Sequence, residues 1–543
     1  MAFLNTKAAI VVGALLSGLL LGLAFPPAAL GFSAFFALIP LLMLLDRKRP
    51  LLHGAVAAYL AMLVFHGMTH WFFAVLPFEH EDGFLGMLGV LYWLVNPLLL
   101  ALPYIAHHSF VRSYGLRSAL ILFPFTLTAF EWLKTFTLFW TPELAIGYSL
   151  VDYTTLIQAA DVAGVWGISF FVAFVNACLA WVLLALAPSL LRPGDVGPRT
   201  CARTFYLVVL SFVVLTAYGL LRRQTVAVDM ALNGHTRWPL AVVQASVDTW
   251  SKWSAPLENQ LQAHLKLSAE LTGNPRNERP VAVIWPETAL PLNMRSEIGL
   301  ATLQTLQNEA WMSDIPFVFG AIDSTARGQF NAMFFIGPAG DVQVSHKVKL
   351  TPYAERSPMA DVWPFSGGMD ERSNAVSDWT AGSSPNLLTI PVGGDSLRAA
   401  PLICIESVYP DYVRTLVREG ADFILVASND AWADGTDGPE QHFLMSVFRA
   451  IETRRFVVRA ANSGISGLIS PEGMVLEQSR NLDSTAMLLS VQRSSVGTFY
   501  SRFGDALPFI CLCLYGLGLF GQIFLRHESI VQPPPPADGP ATN

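Results

Sequence analysis

Long apolar stretches separated by short polar loops make up the first 221 residues of the chain, and one more lies near its end. The eight stretches cover approximately residues 8–24, 32–45, 51–76, 85–106, 119–140, 162–187, 205–221 and 506–525. About 20 apolar residues suffice for a helix to cross the roughly 30 Å hydrocarbon core of a bilayer. The pattern therefore predicts about eight transmembrane helices. Stretch 32–45 is short, which also fits a tilted or re-entrant element.

Residues 222–505 follow a different pattern, in which short apolar runs alternate with amphipathic segments. Strands are predicted at 240–245, 281–285, 316–321, 332–336, 342–348, 400–405, 423–428, 456–461 and 465–470, and helices at 256–271, 300–312, 410–418 and 440–453. This alternation is typical of a layered α/β or α+β sandwich. Segment 356–384 is rich in Gly, Ser, Asp and Pro without periodicity, so we predict a long functional loop such as a lid.

The chain is thus predicted to divide into a transmembrane domain (1–221), an extramembrane domain (222–505), a C-terminal transmembrane helix (506–525) and a disordered proline-rich tail (526–543). The first stretch resembles a signal peptide, but Pro26 and Pro27 stand where a small-residue cleavage site would lie. We therefore expect an uncleaved anchor.

Positive charge is concentrated in alternate loops. These residues are Lys7, Arg47, Lys48, Arg49, Arg112, Arg117, Arg192, Arg199 and Arg203, with Arg526 after the last stretch. Loops rich in Lys and Arg remain in the cytoplasm, so seven crossings place residues 222–505 on the opposite side. Arg222 and Arg223 are exceptions that can reach lipid phosphates by snorkelling.

Composition supports this division. The chain is 53% hydrophobic and 14% charged, whereas soluble domains carry about 25% charged residues. A net charge of -7 argues against nucleic acid as a partner. None of the five cysteines forms a CxxC pair or a zinc-spaced cluster with histidine, so neither a metal nor another cofactor is expected. Glu131 and Lys134, in or beside the fifth stretch, are either functional or a snorkelling pair one turn apart.

Cys404 is the only cysteine of the extramembrane segment. It is either an inert buried residue or a nucleophile. Glu287 and Lys347, like Cys404, lie at or just after the ends of predicted strands, where side chains of a layered fold converge. A carboxylate can activate a thiol, and an ammonium group can stabilise an oxyanion, so the three residues suffice for acyl transfer without a metal. Each alone is more often a surface or core residue; the combination favours function.

Several motifs resemble those of the nitrilase, or carbon–nitrogen hydrolase, superfamily. They are Trp285-Pro286-Glu287, Lys347 eight residues before Glu355, Cys404-Ile405-Glu406, Ser428-Asn429-Asp430-Ala431-Trp432, Gln441-His442 and Arg459-Ala460-Ala461-Asn462. The predicted arrangement places such a domain after seven transmembrane helices and before one more. This arrangement resembles that of the apolipoprotein N-acyltransferase family. Gly147-Tyr148-Ser149, Gly164-Val165-Trp166-Gly167 and Lys252-Trp253 also match that family. The resemblance implies an αββα sandwich beside a polytopic helical membrane domain.

The resemblance also implies a function. Cys404 would take an acyl chain from a phospholipid as a thioester and pass it to the α-amino group of the S-diacylglyceryl cysteine of an apolipoprotein. Glu287 would be general base and acid, and Lys347 would stabilise the tetrahedral intermediates. Glu355, Glu406, Trp253 and Ile405 would support the site, although Trp253 also fits a plain interfacial aromatic. The family implies a multi-pass protein of the bacterial inner membrane with its catalytic domain on the periplasmic face; we expect a monomer.

Three positions depart from the family pattern. Ile405 replaces a common tyrosine, Ala354 replaces a glycine, and Glu143 replaces a tryptophan. The backbone N–H of Ile405 can still donate to an oxyanion. Two other interpretations remain: a membrane-anchored amidase acting on a small amide, against which the eight stretches count, and a transporter or scaffold with a degenerate outer domain.

Overall fold

The computed structural model describes residues 7–45, 49–79, 83–137, 142–186, 198–233, 236–274, 278–352, 354–356, 379–384 and 386–531. The first part is helical. Its helices are α1 (Lys7–Ala24), α2 (Ala34–Ala37), α3 (Ile39–Leu44), α4 (Leu51–His70), α5 (Phe72–Glu79), α6 (Gly83–Leu100), α7 (Leu102–Tyr114), α8 (Leu116–Leu133), α9 (Ala160–Leu186) and α10 (Pro198–Asn233).

Within the part of the chain that the structure describes, six helical segments are long and apolar enough to cross a membrane. They are Leu51–His70, Leu85–Tyr114, Leu116–Phe136, Leu156–Leu186, Arg199–Leu232 and Ala506–Phe524, and two shorter apolar segments cover Ala8–Ala24 and Gly31–Leu44. The described residues of every predicted stretch are mainly helical, and the predicted helical membrane region is confirmed. Glu131, in α8, accepts a hydrogen bond from the backbone N–H of Ile146 at 2.9 Å.

Helix α10 differs from its prediction at both ends. It begins at Pro198, so Cys201, which lies between the predicted stretches 162–187 and 205–221, is in its first turn. Proline is favoured in the first turn of a helix because its missing N–H has no intrahelical acceptor there. The helix continues past residue 221 to Asn233, for 36 residues in all, which corresponds to about 54 Å at 1.5 Å per residue.

The second part of the chain is an α/β domain followed by a helix. Its strands are β1 (Trp238–Gln244), β2 (Ala282–Ile284), β3 (Phe317–Thr325), β4 (Gly328–Ile336), β5 (Val342–His346), β6 (Leu388–Val392), β7 (Asp395–Ile403), β8 (Phe423–Ser428), β9 (Phe456–Ala461), β10 (Gly467–Ile469), β11 (Val475–Gln478) and β12 (Thr485–Val491). Its helices are α11 (Leu257–Thr272), α12 (Glu297–Ser313), α13 (Pro410–Arg418), α14 (Gly438–Thr453), α15 (Phe499–Phe503) and α16 (Ala506–Val531).

The strands form two six-stranded sheets, in the orders β12-β1-β2-β3-β4-β5 and β11-β10-β9-β8-β7-β6. Neighbouring residues of β8 alternate between two cores: Leu425 packs between the sheets, and Val426 packs against the helices behind the second sheet. Helices α11 and α12 cover the other face of the first sheet. The result is the predicted αββα sandwich. One prediction was wrong in detail: Cys404 and Ile405 do not extend a strand but begin a 3-10 helix at Cys404–Val408.

Helix α14 joins the sandwich to the membrane helices. Every residue from 445 to 453 is buried, because one face of the helix packs on the second sheet and another packs on α9. The Glu452 carboxylate accepts a hydrogen bond of 2.8 Å from the backbone N–H of Val165. Val165 follows Gly164, whose φ of +65° kinks α9. The two parts of the protein therefore share one hydrophobic core.

Candidate active site

Glu287, Lys347 and Cys404 meet at one end of the sandwich. Lys347 directly follows β5, Cys404 directly follows β7, and Glu287 lies just beyond β2. Strands β2 and β5 belong to the first sheet and β7 to the second. The site thus lies where the carboxyl ends of strands from both sheets converge, which is the usual position of a cleft in layered α/β folds.

Lys347 lies between two carboxylates. Its Nζ is 3.2 Å from Glu287 Oε1 and 2.7 Å from Glu355 Oε2, and its side chain is 1% exposed. Burial alone would lower the pKa of Lys347, but Glu287 and Glu355 raise it above its ordinary value. Burial alone would likewise raise the pKa of Glu355, and Lys347 holds it below the usual range. Lys347 is therefore a permanent cation at neutral pH.

Lys349 occupies a different environment. Its backbone N–H donates to Glu406, while its ammonium group lies 5.4 Å from the centre of the Tyr409 ring and is partly exposed. Of the two lysines, only Lys347 places its ammonium group against Glu287 and Glu355.

Asn331 is a site residue that the sequence analysis missed. Its side-chain Nδ2 donates to Glu287 Oε1 and to Glu355 Oε1, each at 2.8 Å. The sequence did offer one signal for this residue. Asn331 is an amide in the middle of the apolar strand β4, and a buried amide needs a polar partner. Asn331 fixes the distance between the two carboxylates and leaves Lys347 between them.

Cys404 adopts a left-handed backbone conformation, with φ of +54°. That region is costly for a residue with a Cβ and is concentrated at functional sites. Burial raises the pKa of the Cys404 thiol above its ordinary range, the nearby Glu287 carboxylate raises it further, and Lys347 opposes both. The raised pKa favours the neutral thiol, so a nucleophilic role for Cys404 would require a base that removes its proton.

Glu406 fastens the turn that carries Cys404 to the segment that follows Lys347. Its Oε1 accepts from the backbone N–H groups of Val348 at 2.7 Å and Lys349 at 3.0 Å, and its Oε2 accepts from Ile403 N at 2.8 Å. Burial raises the pKa of Glu406, and these three donors oppose that effect. Sequence analysis had placed Glu406 beside the site without assigning these partners.

A second buried lysine lies behind Glu287. Lys252 donates from Nζ to Thr288 Oγ1 at 2.8 Å, and it is 2% exposed. Burial lowers the pKa of Lys252 to about 8, against the attraction of Glu287. The next residue, Trp253, is exposed on one side and lines the cavity described below.

A cavity of about 290 Å³ opens above the cysteine. One wall contains Glu287, Lys347, Cys404 and Ile405. Helices α4, α5 and α6 of the membrane region also line the cavity, through His70, Phe72, Phe73, Pro77, Leu85, Leu88 and Tyr92. The cavity therefore connects the end of the sandwich to apolar surface of the helical region.

The three departures from the family pattern all line this cavity. Ile405 and Ala354 belong to the sandwich wall, and Glu143 lies 3.8 Å from His70 Nε2 on the helical wall. The neighbouring Tyr353 and most of the predicted lid, at 357–378, are outside the described residues.

A second polar cluster flanks the cysteine on the side of the second sheet. His442 Nδ1 lies 2.8 Å from Asp430 Oδ1, and Arg459 Nη2 lies 2.7 Å from Asp430 Oδ2 and 2.8 Å from His442 Nδ1. Burial alone would raise the pKa of Asp430, but Arg459 and His442 hold it far below its ordinary value.

Cys404, Asp430 and His442 could together hold a metal ion, because one ligand atom of each lies within 4.8 Å of the others. The Arg459 guanidinium touches two of these three residues, so a metal ion would have to compete with a resident cation. The donor set therefore fits a metal poorly.

The two facing sheets, their flanking helices and the strand-end cysteine define a protein of the carbon–nitrogen hydrolase class, and the family model described as carbon-nitrogen hydrolase matches residues 239–500. A second model, described as the apolipoprotein N-acyltransferase N-terminal domain, matches residues 17–178. The chain belongs to the apolipoprotein N-acyltransferase family.

Relatives agree with this assignment. The apolipoprotein N-acyltransferase of Chlorobaculum tepidum is 29% identical over 530 residues, which cover 93% of this chain and 94% of the relative. That of Rhizobium leguminosarum bv. trifolii is 30% identical over 389 residues, or 68% of each chain. Among solved structures, an amidase from Nesterenkonia sp. is 18% identical with a TM-score of 0.36, and the match covers 50% of this chain and 95% of the amidase.

Proposed function

We propose that the protein transfers an acyl chain from a phospholipid, through a thioester on Cys404, to the α-amino group of the N-terminal S-diacylglyceryl cysteine of apolipoproteins. The observation that carries the proposal is the cavity, which runs from membrane-helix residues to the cysteine thiol. Both substrates carry acyl chains that cost about 0.8 kcal/mol per CH₂ to remove from a bilayer. A site that borders the membrane helices avoids that extraction.

In the first half-reaction, Glu287 accepts the thiol proton as Cys404 Sγ attacks the ester carbonyl carbon of the phospholipid. The carbonyl oxygen becomes an oxyanion, which the Lys347 ammonium group and the backbone N–H of Ile405 stabilise. Collapse of this intermediate breaks the C–O bond, and Glu287 returns its proton to the departing oxygen. A lysophospholipid and an acyl-thioester result.

In the second half-reaction, the neutral α-amino group of the lipoprotein attacks the thioester carbonyl carbon. Glu287 takes a proton from the attacking nitrogen. The tetrahedral intermediate then collapses: the C=O bond re-forms, the C–S bond breaks, and Glu287 passes its proton to the sulfur of Cys404. The same oxyanion donors serve both steps. Glu355 and Asn331 hold Lys347 and Glu287 in place, Glu406 fixes the cysteine turn, and Trp253 contributes an aromatic wall for the acyl group.

The proposal includes a location and a domain division. The catalytic domain, at 222–505, faces the periplasm from the inner membrane, between a transmembrane domain at 1–221 and a helix at 506–525. Helix α16 continues to Val531, so residues 526–531 are helical and do not belong to the disordered tail predicted at 526–543. The protein acts as a monomer.

The test is reconstitution of the purified full-length protein in phospholipid vesicles with a synthetic diacylglyceryl lipopeptide. Mass spectrometry should detect an acyl group on Cys404, a lysophospholipid, and a lipopeptide heavier by one acyl chain. Release of ammonia and a free acid from a small amide, with no acylated lipopeptide, would instead identify a membrane-anchored amidase.

A further inference from the structure

A chain of hydrogen bonds reaches the backbone of Cys404 from the second polar cluster. Ser407 Oγ donates to the carbonyl oxygen of Cys404 at 2.9 Å and lies 3.0 Å from His442 Nε2. The other ring nitrogen of His442 contacts Asp430 and Arg459, each at 2.8 Å. Both ring nitrogens therefore have partners, and the imidazole cannot rotate without breaking these contacts.

The Cys404 carbonyl belongs to the same planar peptide group as the N–H of Ile405. In a trans peptide the two bonds point in opposite directions, so a donor that holds the carbonyl oxygen also sets the direction of the N–H. Ile405 lines the cavity, and its N–H is the oxyanion donor in the proposed reaction. The orientation of this one peptide group therefore decides whether that donor meets the oxyanion.

This peptide group needs an external restraint. Cys404 has φ of +54° without being glycine, and such a conformation persists only when surrounding contacts hold it. Ser407 supplies a contact from within the same turn, and it is 1% exposed. His442 supplies the fixed point outside the turn, because Asp430 and Arg459 anchor its ring to β9 and to the segment after β8.

We propose that Ser407 and His442 are positioning residues that aim the Ile405 N–H at the oxyanion of both half-reactions. The proposal rests on the proposed function, since it concerns the same acyl transfer. Ser407 is not part of the cavity lining. His442 does line the cavity, but its ring nitrogens are already paired with Ser407, Asp430 and Arg459, so neither residue would exchange a proton with the substrate. Loss of the chain should lower the rate constants of both steps by a similar factor, because both pass through a tetrahedral oxyanion, and it should leave KM unchanged.

The experiment compares Ser407→Ala, Ser407→Thr, His442→Gln and the double variant Ser407→Ala/His442→Gln in vesicles. Acyl-enzyme formation is followed in single-turnover experiments without lipopeptide, and transfer is followed after its addition. Complete loss of an oxyanion donor costs about 10²–10³ in kcat, and a misaimed donor should cost roughly tenfold or more in each step. Ser407→Thr, which keeps the hydroxyl, should recover most of the rate.

The double variant provides an independent criterion. If the two residues act through one chain, removing both should cost no more than removing either one, whereas independent contributions would multiply. The comparison of the double variant with the two single variants tests the positioning role even if the threonine variant fails to fold, as judged by its melting temperature.

A matched control is available in the same domain. His346 pairs with Asp323 at 2.7 Å, and Asp323 also binds Arg295, so this triplet has the same composition but lies outside the cavity. His346→Gln should leave both half-reactions near the wild-type rate.

Wild-type kcat in Ser407→Ala, or a loss confined to one half-reaction, would overturn the positioning role. If the wild-type protein forms no acyl-enzyme at all, the proposed function itself fails, which is a different result.

Discussion

The Glu406 carboxylate accepts a hydrogen bond of 2.7 Å from the backbone N–H of Val348. Through this bond, the turn that carries the cysteine holds the segment directly after Lys347. Cys404 and Lys347 follow strands of different sheets, and the Glu406 side chain bonds to the segments of both.

Replacement of Glu406 by glutamine should therefore damage both stability and activity. The amide offers one acceptor oxygen, and its NH₂ group would face a backbone donor that the carboxylate now satisfies. Each buried donor left without a partner costs about 1–3 kcal/mol in the free energy of unfolding. Thermal melting and acyl transfer should both fall, while the exposed control Glu477→Gln should change neither. Unchanged melting of Glu406→Gln would show that these bonds are dispensable.

Cys404→Ser should abolish acyl transfer and leave the protein folded in the membrane. A hydroxyl is a far weaker nucleophile than a thiol when only a carboxylate is available as base. Mass spectrometry of protein incubated with phospholipid should find no stable acyl adduct. An adduct on any other residue of the wild-type protein would refute the assignment of the nucleophile.

Lys347→Arg should be nearly inactive although it preserves the charge. The ammonium group fits between Glu287 and Glu355 in a fully buried site, and a planar guanidinium cannot take its place beside an oxyanion. We expect a loss of about 10²-fold or more in kcat. Lys349→Ala is the control and should be mild, because only its backbone N–H contacts Glu406. The opposite ranking of the two variants would mean that Lys349 is the catalytic cation.

Glu287→Gln should separate thiol reactivity from catalysis. The negative charge of Glu287 helps to raise the pKa of the Cys404 thiol, after the larger effect of burial. Removing that charge lowers the pKa, so more thiolate exists at a given pH. The midpoint of the pH dependence of alkylation by iodoacetamide should therefore move to lower pH, whereas acyl transfer should fall about 10²–10⁴-fold. A midpoint that moves to higher pH would contradict this electrostatic account.

Orientation can be tested with two cysteines. A membrane-impermeant maleimide added to intact spheroplasts should label Cys404, which lines the cavity, but not Cys201 in the first turn of α10. Reporter fusions at Pro50, Gly83 and Ser254 should read inside, outside and outside. Labelling of Cys201 alone, or an inside reading at Ser254, would place the site in the cytoplasm.

The sequence predicted the interior of the sandwich better than its edges. Nine predicted strands correspond to strands of the structure, but β6, β11 and β12 were missed, and all three lie at the edge of a sheet. β11 shows why: Leu476, Glu477 and Gln478 are exposed, so burial imposes no apolar alternation on it. Strand β8, covered on both faces, reads as a continuous apolar run.

The same contrast holds for the site. Motifs brought Glu287, Lys347, Glu355 and Cys404 to attention, because their spacing is local or resembles a known pattern. Asn331 and the contact between Ser407 and His442 join residues far apart in the chain, and no local pattern reports such contacts. The left-handed backbone conformation of Cys404 could not be predicted from the sequence either, since nothing in its neighbouring residues requires a positive φ.

Helix α14 has consequences for the evolutionary history of the chain. In a free-standing sandwich, the outward side of this helix would meet water and carry charge. Here that side is buried against α9: its apolar residues join the shared core, and its charged residues Arg449 and Glu452 pair with each other. A descendant that lost its membrane segments would expose the apolar surface of α14 to water. It would aggregate unless several positions of this helix changed together. The sequence of α14 therefore makes the sandwich dependent on its membrane segments.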